Sequence, residues 1–251
     1  MKEADSYLDR PLFNAADLLA HRRRQARFPR FPPPPSVIFC YQRSLVRARG
    51  RRLRRVGGFF GDFYLVKEAH GAVGVAANFG LGAPAAVALM EELAAFGVQR
   101  FMSIGLAGGL QNDLRPGNML VCQRALRGEG VSRHYLPPAP DALAAPDLLR
   151  RLEDALQAAG QPYILGTSWT TDAPYRETPR EIEQYRQAGA QVVEMEAAAL
   201  FAAGQALGVQ VGAALVVGDL LSPSGWQPDL DPPRTQRSLE ALFDAAVRAM
   251  L

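Results

Sequence analysis

From residue 56 onward the chain switches between two hydrophobic periods. Apolar runs in GAVGVAANF (71–79), VQRFMSIG (98–105), NMLVCQRAL (118–126), YILGTSWTTD (163–172) and VQVGAALVVGD (209–219) read as strands. Between them, apolar residues recur at helical spacing. PAAVALMEELAAFG (84–97) opens with Pro84 and closes with Gly97, and PDLLRRLEDALQAAG (146–160) has Pro146 early and Gly160 past its end. VVEMEAAALFAAGQALG (192–208) begins extended and continues as a helix. TQRSLEALFDAAVRAML (235–251) is amphipathic, with apolar positions 239, 242, 243, 246, 247 and 250. Strands alternating with helices predict an α/β fold, and strands this apolar are buried on both faces.

Ahead of this regular region the pattern is lost. HRRRQARFPRFPPPP (21–35) is basic, then proline-rich, which favours polyproline II and excludes a helix or a central strand. Residues 1–35 are therefore expected to form a surface arm, with one α/β domain over 36–251. VIFCYQRSLVRAR (37–49) reads as a strand. RARGRRLRR (47–55) holds six arginines in nine residues. It reads as a solvated loop or hairpin edge, or else as a patch facing phosphate or another subunit.

Composition adds limits. The chain has 251 residues, enough for one large α/β domain, and 48% are hydrophobic. A net charge of +3 is too mild to imply nucleic acid. Cys40 and Cys122 lie far apart and in no CxxC pair, so neither a metal site nor a disulfide framework is expected. Reduced thiols, the lack of an apolar stretch in the first 30 residues and the short apolar runs point to a cytoplasmic protein with no membrane segment.

Ligands of open α/β sheets bind beyond the carboxyl ends of strands. That rule selects Gly80–Ala85, Gly105–Gly109, Asp172–Arg176, Gly218–Ser222 and Glu194–Glu196. GLGAPA (80–85) matches G-x-G-x-x-A, but no carboxylate ends the next strand as a dinucleotide site requires. GLAGGLQ (105–111) is a glycine-rich loop, read either as a tight turn or as a close backbone approach to a ligand. In an extended Glu194-Met195-Glu196 the two carboxylates project to the same side. They are either first-turn acids favoured by the helix dipole or acceptors for a sugar diol. Asp219 follows the buried run AALVVG and is either a turn residue or a partly desolvated acid able to donate a proton. His21, His70 and His134 have no metal spacing.

Taken together, FGLGAPAAVALMEELAAFGVQRFMSIGLAGGL, LRPGNMLV, RGEGVSRHY, TTDAPY, VVEMEAAALFA and VVGD resemble the nucleoside phosphorylase family. The similar branch is that of purine nucleoside and uridine phosphorylases. The resemblance implies a single α/β domain with a mixed sheet partly closed into a barrel and flanked by helices. It implies cleavage of an N-glycosidic bond by phosphate, giving free base and ribose 1-phosphate, with no cofactor beyond phosphate as co-substrate. It implies a homo-oligomer, a dimer at least and possibly a hexamer, whose neighbours complete each site. It places Glu196 on the ribose hydroxyls, Met195 against the sugar and Glu194 in the pocket wall. Leu106, Ala107 and Gly108 fall where ribose, phosphate and base meet, Pro174 at the base, and Asp219 as the acid that protonates a purine. Uridine phosphorylases usually carry a different residue there, which leans the reading towards purines.

The chain departs from the family at the phosphate. The Gly-Asp-Pro-x-Arg loop is absent, with Tyr41-Gln42-Arg43 in its region, Ser103 for an arginine, Leu106 for a threonine and Gly218 for a serine. Arg43 is the candidate phosphate contact. Three other readings stay open: a uridine-type phosphorylase, a nucleosidase using water, and a nucleoside- or nucleotide-binding relative without catalysis. Nucleic-acid binding through the arginines lacks recognition motifs.

Overall fold

The apolar runs become strands because β-branched and small apolar side chains fill both faces of a pleated sheet. The computed structural model describes residues 11–251. Its strands are β1 (Ser36–Cys40), β2 (Leu53–Val56), β3 (Asp62–Val66), β4 (Val73–Ala77), β5 (Arg100–Gly109), β6 (Met119–Gly128), β7 (Asp141–Leu143), β8 (Ile164–Thr171), β9 (Val192–Glu194), β10 (Gln210–Ser222) and β11 (Gly225–Gln227). The helices are α1 (Ala15–Arg24), α2 (Arg43–Arg49), α3 (Ala83–Phe96), α4 (Pro146–Ala158), α5 (Pro179–Gln187), α6 (Ala197–Leu207) and α7 (Pro232–Met250).

Five strands close on themselves. β5 pairs with β10, β10 with β6, β6 with β8, β8 with β9, and β9 returns to β5. From β5 the sheet also runs outward through β1, β4, β3 and β2. The result is a mixed sheet, part barrel and part open wing, with helices packed on it. α3 lies against α6, and α7 against α4 and the barrel strands. Ser36 Oγ donates to the carbonyl of Met250 at 2.8 Å, tying the first strand to the end of the last helix.

One detail of pairing positions the site. Along one edge, β5 pairs with β1 up to Ile104 and with β9 only from Gly108. Between them, residues 105–107 have no strand partner on that side. A sheet that changes neighbours in this way leaves a crevice.

Four expectations need correction. The basic arm does hold helix: His21–Arg24 end α1, which starts at an Asn14–Asp17 capping box. Arg22 then pairs with Glu92 of α3 at 2.6 Å, and Phe28 and Phe31 pack on Phe96 with centroids 5.6 and 5.5 Å away. The part of the arm before residue 11 lies outside the described residues. Residues 37–49 are not one strand. β1 ends at Cys40, and RSLVRAR forms α2, which buries Leu45 and sends Arg43 and Arg47 outward. The glycines of 105–109 belong to a strand rather than a loop. None has positive φ, and a side chain at Gly108 would collide with Leu221 of β10, so close strand packing explains that glycine. Finally, β10 continues to Ser222 and folds back as the hairpin β10–β11, while α7 begins at Pro232, capped by Asp231.

Candidate active site

A cavity of about 650 Å³ opens at the gap in β5. It is lined from all five segments at the strand ends: Leu81, Gly105–Gly108, Pro174, Glu194–Glu196 and Asp219. Pro174 lies at the exposed mouth beside Tyr175.

The two glutamates have different environments. Glu194 ends β9 and is buried. One oxygen accepts from Ser168 Oγ at 3.2 Å and from Thr170 Oγ1. The other accepts the backbone N–H groups of Glu196 and Ala197, each at 2.7 Å. Those N–H groups open α6, so Glu194 caps the helix from two residues upstream. Burial raises its pKa, against the lowering by its four donors. Its carboxylate is already committed to four protein donors, unlike that of Glu196.

A stability prediction follows. Glu194→Ala would strand four buried donors, a loss of about 3–5 kcal/mol, or on the order of 10 °C in Tm for a chain of this size. Thermal unfolding measures it; a Tm within 2 °C of wild type would contradict the capping role.

Glu196 keeps an oxygen free. Its Oε1 accepts from the Gly82 N–H at 2.6 Å, the Met195 backbone adds a weaker pull, and no hydrogen bond of ordinary geometry reaches Oε2 among the described residues. Gly80 and Gly82 have φ of +102° and +90°, a backbone open to glycine, and this brings the amide of the GLGAPA turn to the carboxylate. Burial, then the charge of Glu194, pushes the Glu196 pKa up to about 8. Met195, between them, lines the cavity and lies beside the Gly82 turn.

A second acidic pair lines the same cavity. A register shift in β10 between Val217 and Asp219 re-aims the Asp219 side chain into the cavity. Its pKa is raised, mainly by burial, while the indole N–H of Trp226 donates to Oδ2 at 2.6 Å and lowers it. Glu177, half-buried on the same cavity, is pushed up to about 7 by burial and then by Asp219 and Glu181. Glu177, at about 7, can hold or release a proton at physiological pH, and burial shifts Asp219 in the same direction.

The loop after β1 also lines the cavity. Tyr41 is held neutral by burial and then by Glu196, and its hydroxyl lies 3.2 Å from Ser103 Oγ. Thus Ser103, at the position of the family's arginine, is partnered by Tyr41. Gln42 Oε1 is buried with no hydrogen-bond partner among the described residues. Arg43 does not line the cavity; its Nε donates to Asn78 at 3.1 Å on the surface. No Lys, Arg or His is among the residues lining the cavity.

Glu177 and Trp226 escape the sequence reading, and Tyr41 and Gln42 enter it only as the residues in the region of the absent phosphate loop. Glu177 precedes Thr178-x-x-Glu181, whose capping box reads as nothing more than a helix start. Trp226 sits in the polar, turn-rich SPSGWQPD. An isolated large aromatic in such a stretch was the available signal.

Residues 53–250 match the family model of the phosphorylase superfamily. The chain is 30% identical over 173 residues to a guanosine phosphorylase of Halorubrum lacusprofundi, covering 68% of this chain and 71% of that one. Among solved structures it resembles an AMP nucleosidase from Bacteroides thetaiotaomicron, with TM-score 0.69, 25% identity and coverage of 84% and 86%. It also shares the fold of a purine nucleoside phosphorylase from Toxoplasma gondii, with TM-score 0.71, 20% identity and coverage of 86% and 91%. No helix among the described residues is long and apolar enough to cross a membrane. Barrel, split strand and acidic cavity thus coincide with a match spanning most of the sequence, and the chain belongs to the phosphorylase superfamily.

Proposed function

We propose that this protein cleaves the N-glycosidic bond of a purine nucleoside. The observation that carries the reading is that one cavity gathers two distinct acidic sites. Glu196, anchored by Gly82, keeps one oxygen open for a ribose diol, with Met195 against the sugar. Asp219 and Glu177 serve the base. Gly105, Leu106, Ala107 and Gly108 form the floor between them. The Glu177 carboxylate suits the ring N–H and amino donors of a guanine-like base, which leaves Asp219 to act as the acid.

The chemistry follows from charge. As the bond breaks, the ribose gains positive charge and the base negative charge. The Glu196 carboxylate stabilises the first. Asp219, whose burial favours the acid form, gives its proton to the departing purine and answers the second.

Phosphate as the acceptor rests on the named relatives. A specific observation keeps water as a second reading: the cavity has no cation of its own to hold phosphate. Phosphorolysis would draw that cation from elsewhere. A neighbouring copy in a homo-oligomer is the natural source, because Arg47, Arg51 and Arg54 are exposed. Arg49 and Arg52 are instead held by Glu240, Asp244 and Glu68. Sedimentation should show a dimer or larger assembly; an active 27.3 kDa monomer would contradict this.

The test of function is product analysis. Guanosine, inosine, adenosine, uridine and thymidine are incubated with the protein, with and without phosphate. Free purine with ribose 1-phosphate supports phosphorolysis, and free purine with ribose supports hydrolysis. Binding without release, or a preference for uridine, would refute the proposal.

A further inference from the structure

The hairpin β10–β11 turns through Ser222–Gly225 and sets Trp226 opposite Leu221. Core packing does not explain this residue. Its side chain is 63% exposed, whereas Trp169, the other tryptophan, is buried and stacked on Tyr185 at 4.1 Å. What Trp226 does is line the cavity and donate its indole N–H to Asp219 Oδ2 at 2.6 Å. An indole N–H is a donor only. Oδ2 must therefore accept, and when Asp219 is protonated its hydrogen belongs on Oδ1. That oxygen is the one near the cavity floor, 3.6 Å from where a Cβ on Gly108 would sit.

We infer that Trp226 is a positioning residue that fixes the transferable proton on Asp219 Oδ1, facing the floor at Gly108. This rests on the proposed cleavage of a purine nucleoside. In the step, the electron pair of the C–N bond passes to the base while a phosphate oxygen forms the new bond to the ribose carbon. The Oδ1 proton moves to a base nitrogen, and Asp219 becomes a carboxylate whose Oδ2 still accepts from the indole. A hydrogen bond to a charged acceptor is roughly twice as strong as one to a neutral acceptor. The Trp226 bond therefore tightens as charge develops, which favours the transition state over the ground state. The other charged groups acting on Asp219 are carboxylates, Asp229 and Glu177, so the indole is the neutral donor opposing them.

Two measurements test this. First, the indole N–H resonances of the full-length protein are followed by proton–nitrogen NMR through a pH titration, with Trp226→Phe giving the assignment. The Trp226 signal should shift with Asp219 ionisation and lose that shift in Asp219→Asn. A Trp226 signal that ignores pH, or that titrates equally in Asp219→Asn, overturns the proposal whether or not any nucleoside is cleaved. Second, Trp226→Phe should lower kcat for inosine by about 10- to 100-fold, part of the range for general acid catalysis. For 7-methylinosine, whose base is already cationic, kcat should change by no more than about twofold, since that leaving group needs no proton. An equal fall for both substrates would make Trp226 a wall of the base site and overturn the role. Trp226 is exposed on a three-residue edge strand, so the variant should fold; should it not, the wild-type titration and Asp219→Asn decide. A wild-type protein that cleaves no nucleoside defeats the functional reading and, with it, proton delivery.

Discussion

Glu196→Ala should lower kcat/KM for guanosine or inosine by about 10²–10⁴-fold while leaving the fold intact. The size follows, above pH 8 where Glu196 is ionised, from two lost charge-assisted hydrogen bonds to the ribose diol, at about 1.5–3 kcal/mol each, with about 1.4 kcal/mol per tenfold. The fold survives because Glu196 holds the Gly82 amide and, more weakly, the Met195 backbone, whereas Glu194 holds four donors. Glu196→Gln separates shape from charge. It still accepts from Gly82 but cannot become an anion. With a pKa of about 8, Glu196 is neutral at lower pH and ionises as pH rises through that value. An oxocarbenium-like transition state prefers the anion, so wild-type kcat/KM should climb across pH 8 and the glutamine variant should stay flat there. Steady-state kinetics from pH 6 to 9 measure both. A variant with normal kcat/KM would remove the sugar contact from Glu196.

Asp219→Asn should slow guanosine and inosine by about 10²–10⁴-fold, the range for loss of a general acid. The substitution keeps the acceptor for the Trp226 indole and the shape of the bulge at Gly218. It removes only the transferable proton. A 7-methylpurine nucleoside leaves without protonation, so its rate should change little. The ratio of the two rates, wild type against variant, is the measurement. Equal slowing of both substrates would make Asp219 structural and withdraw the main support for a purine.

Much of this was legible before any coordinates, and the reasons are physical. Apolar runs such as VQVGAALVVG carry their burial in their composition, and Pro84, Gly97 and Pro146 punctuate helices by backbone chemistry. Sequence order alone placed Leu81, Ala107, Met195 and Asp219 at strand ends, and the fold gathers them round one cavity. Division of labour was not legible. Nothing local distinguishes Glu194 from Glu196; the difference comes from Ser168 and Thr170 on β8 and from Gly82, over 100 residues upstream of Glu196. The 105–109 glycines misled for a related reason. They allow β10 to approach β5, a tertiary demand that looks like turn chemistry in sequence. RSLVRAR was misread because its helical face rests on a single buried residue, Leu45. Trp226 went unnoticed because its partner comes through the fold-back of a hairpin that polar composition conceals.

The central claim is an orientation: ribose at Glu196, purine at Asp219. A crystal structure with a C-nucleoside analogue such as 9-deazaguanosine, which cannot be cleaved, tests it most directly. The account predicts both ribose hydroxyls within hydrogen-bond distance of Glu196, the sugar against Met195, and the purine between Asp219 and Glu177 with its imidazole edge towards Asp219 Oδ1. A ligand bound in the reverse orientation, or outside this cavity, would contradict it.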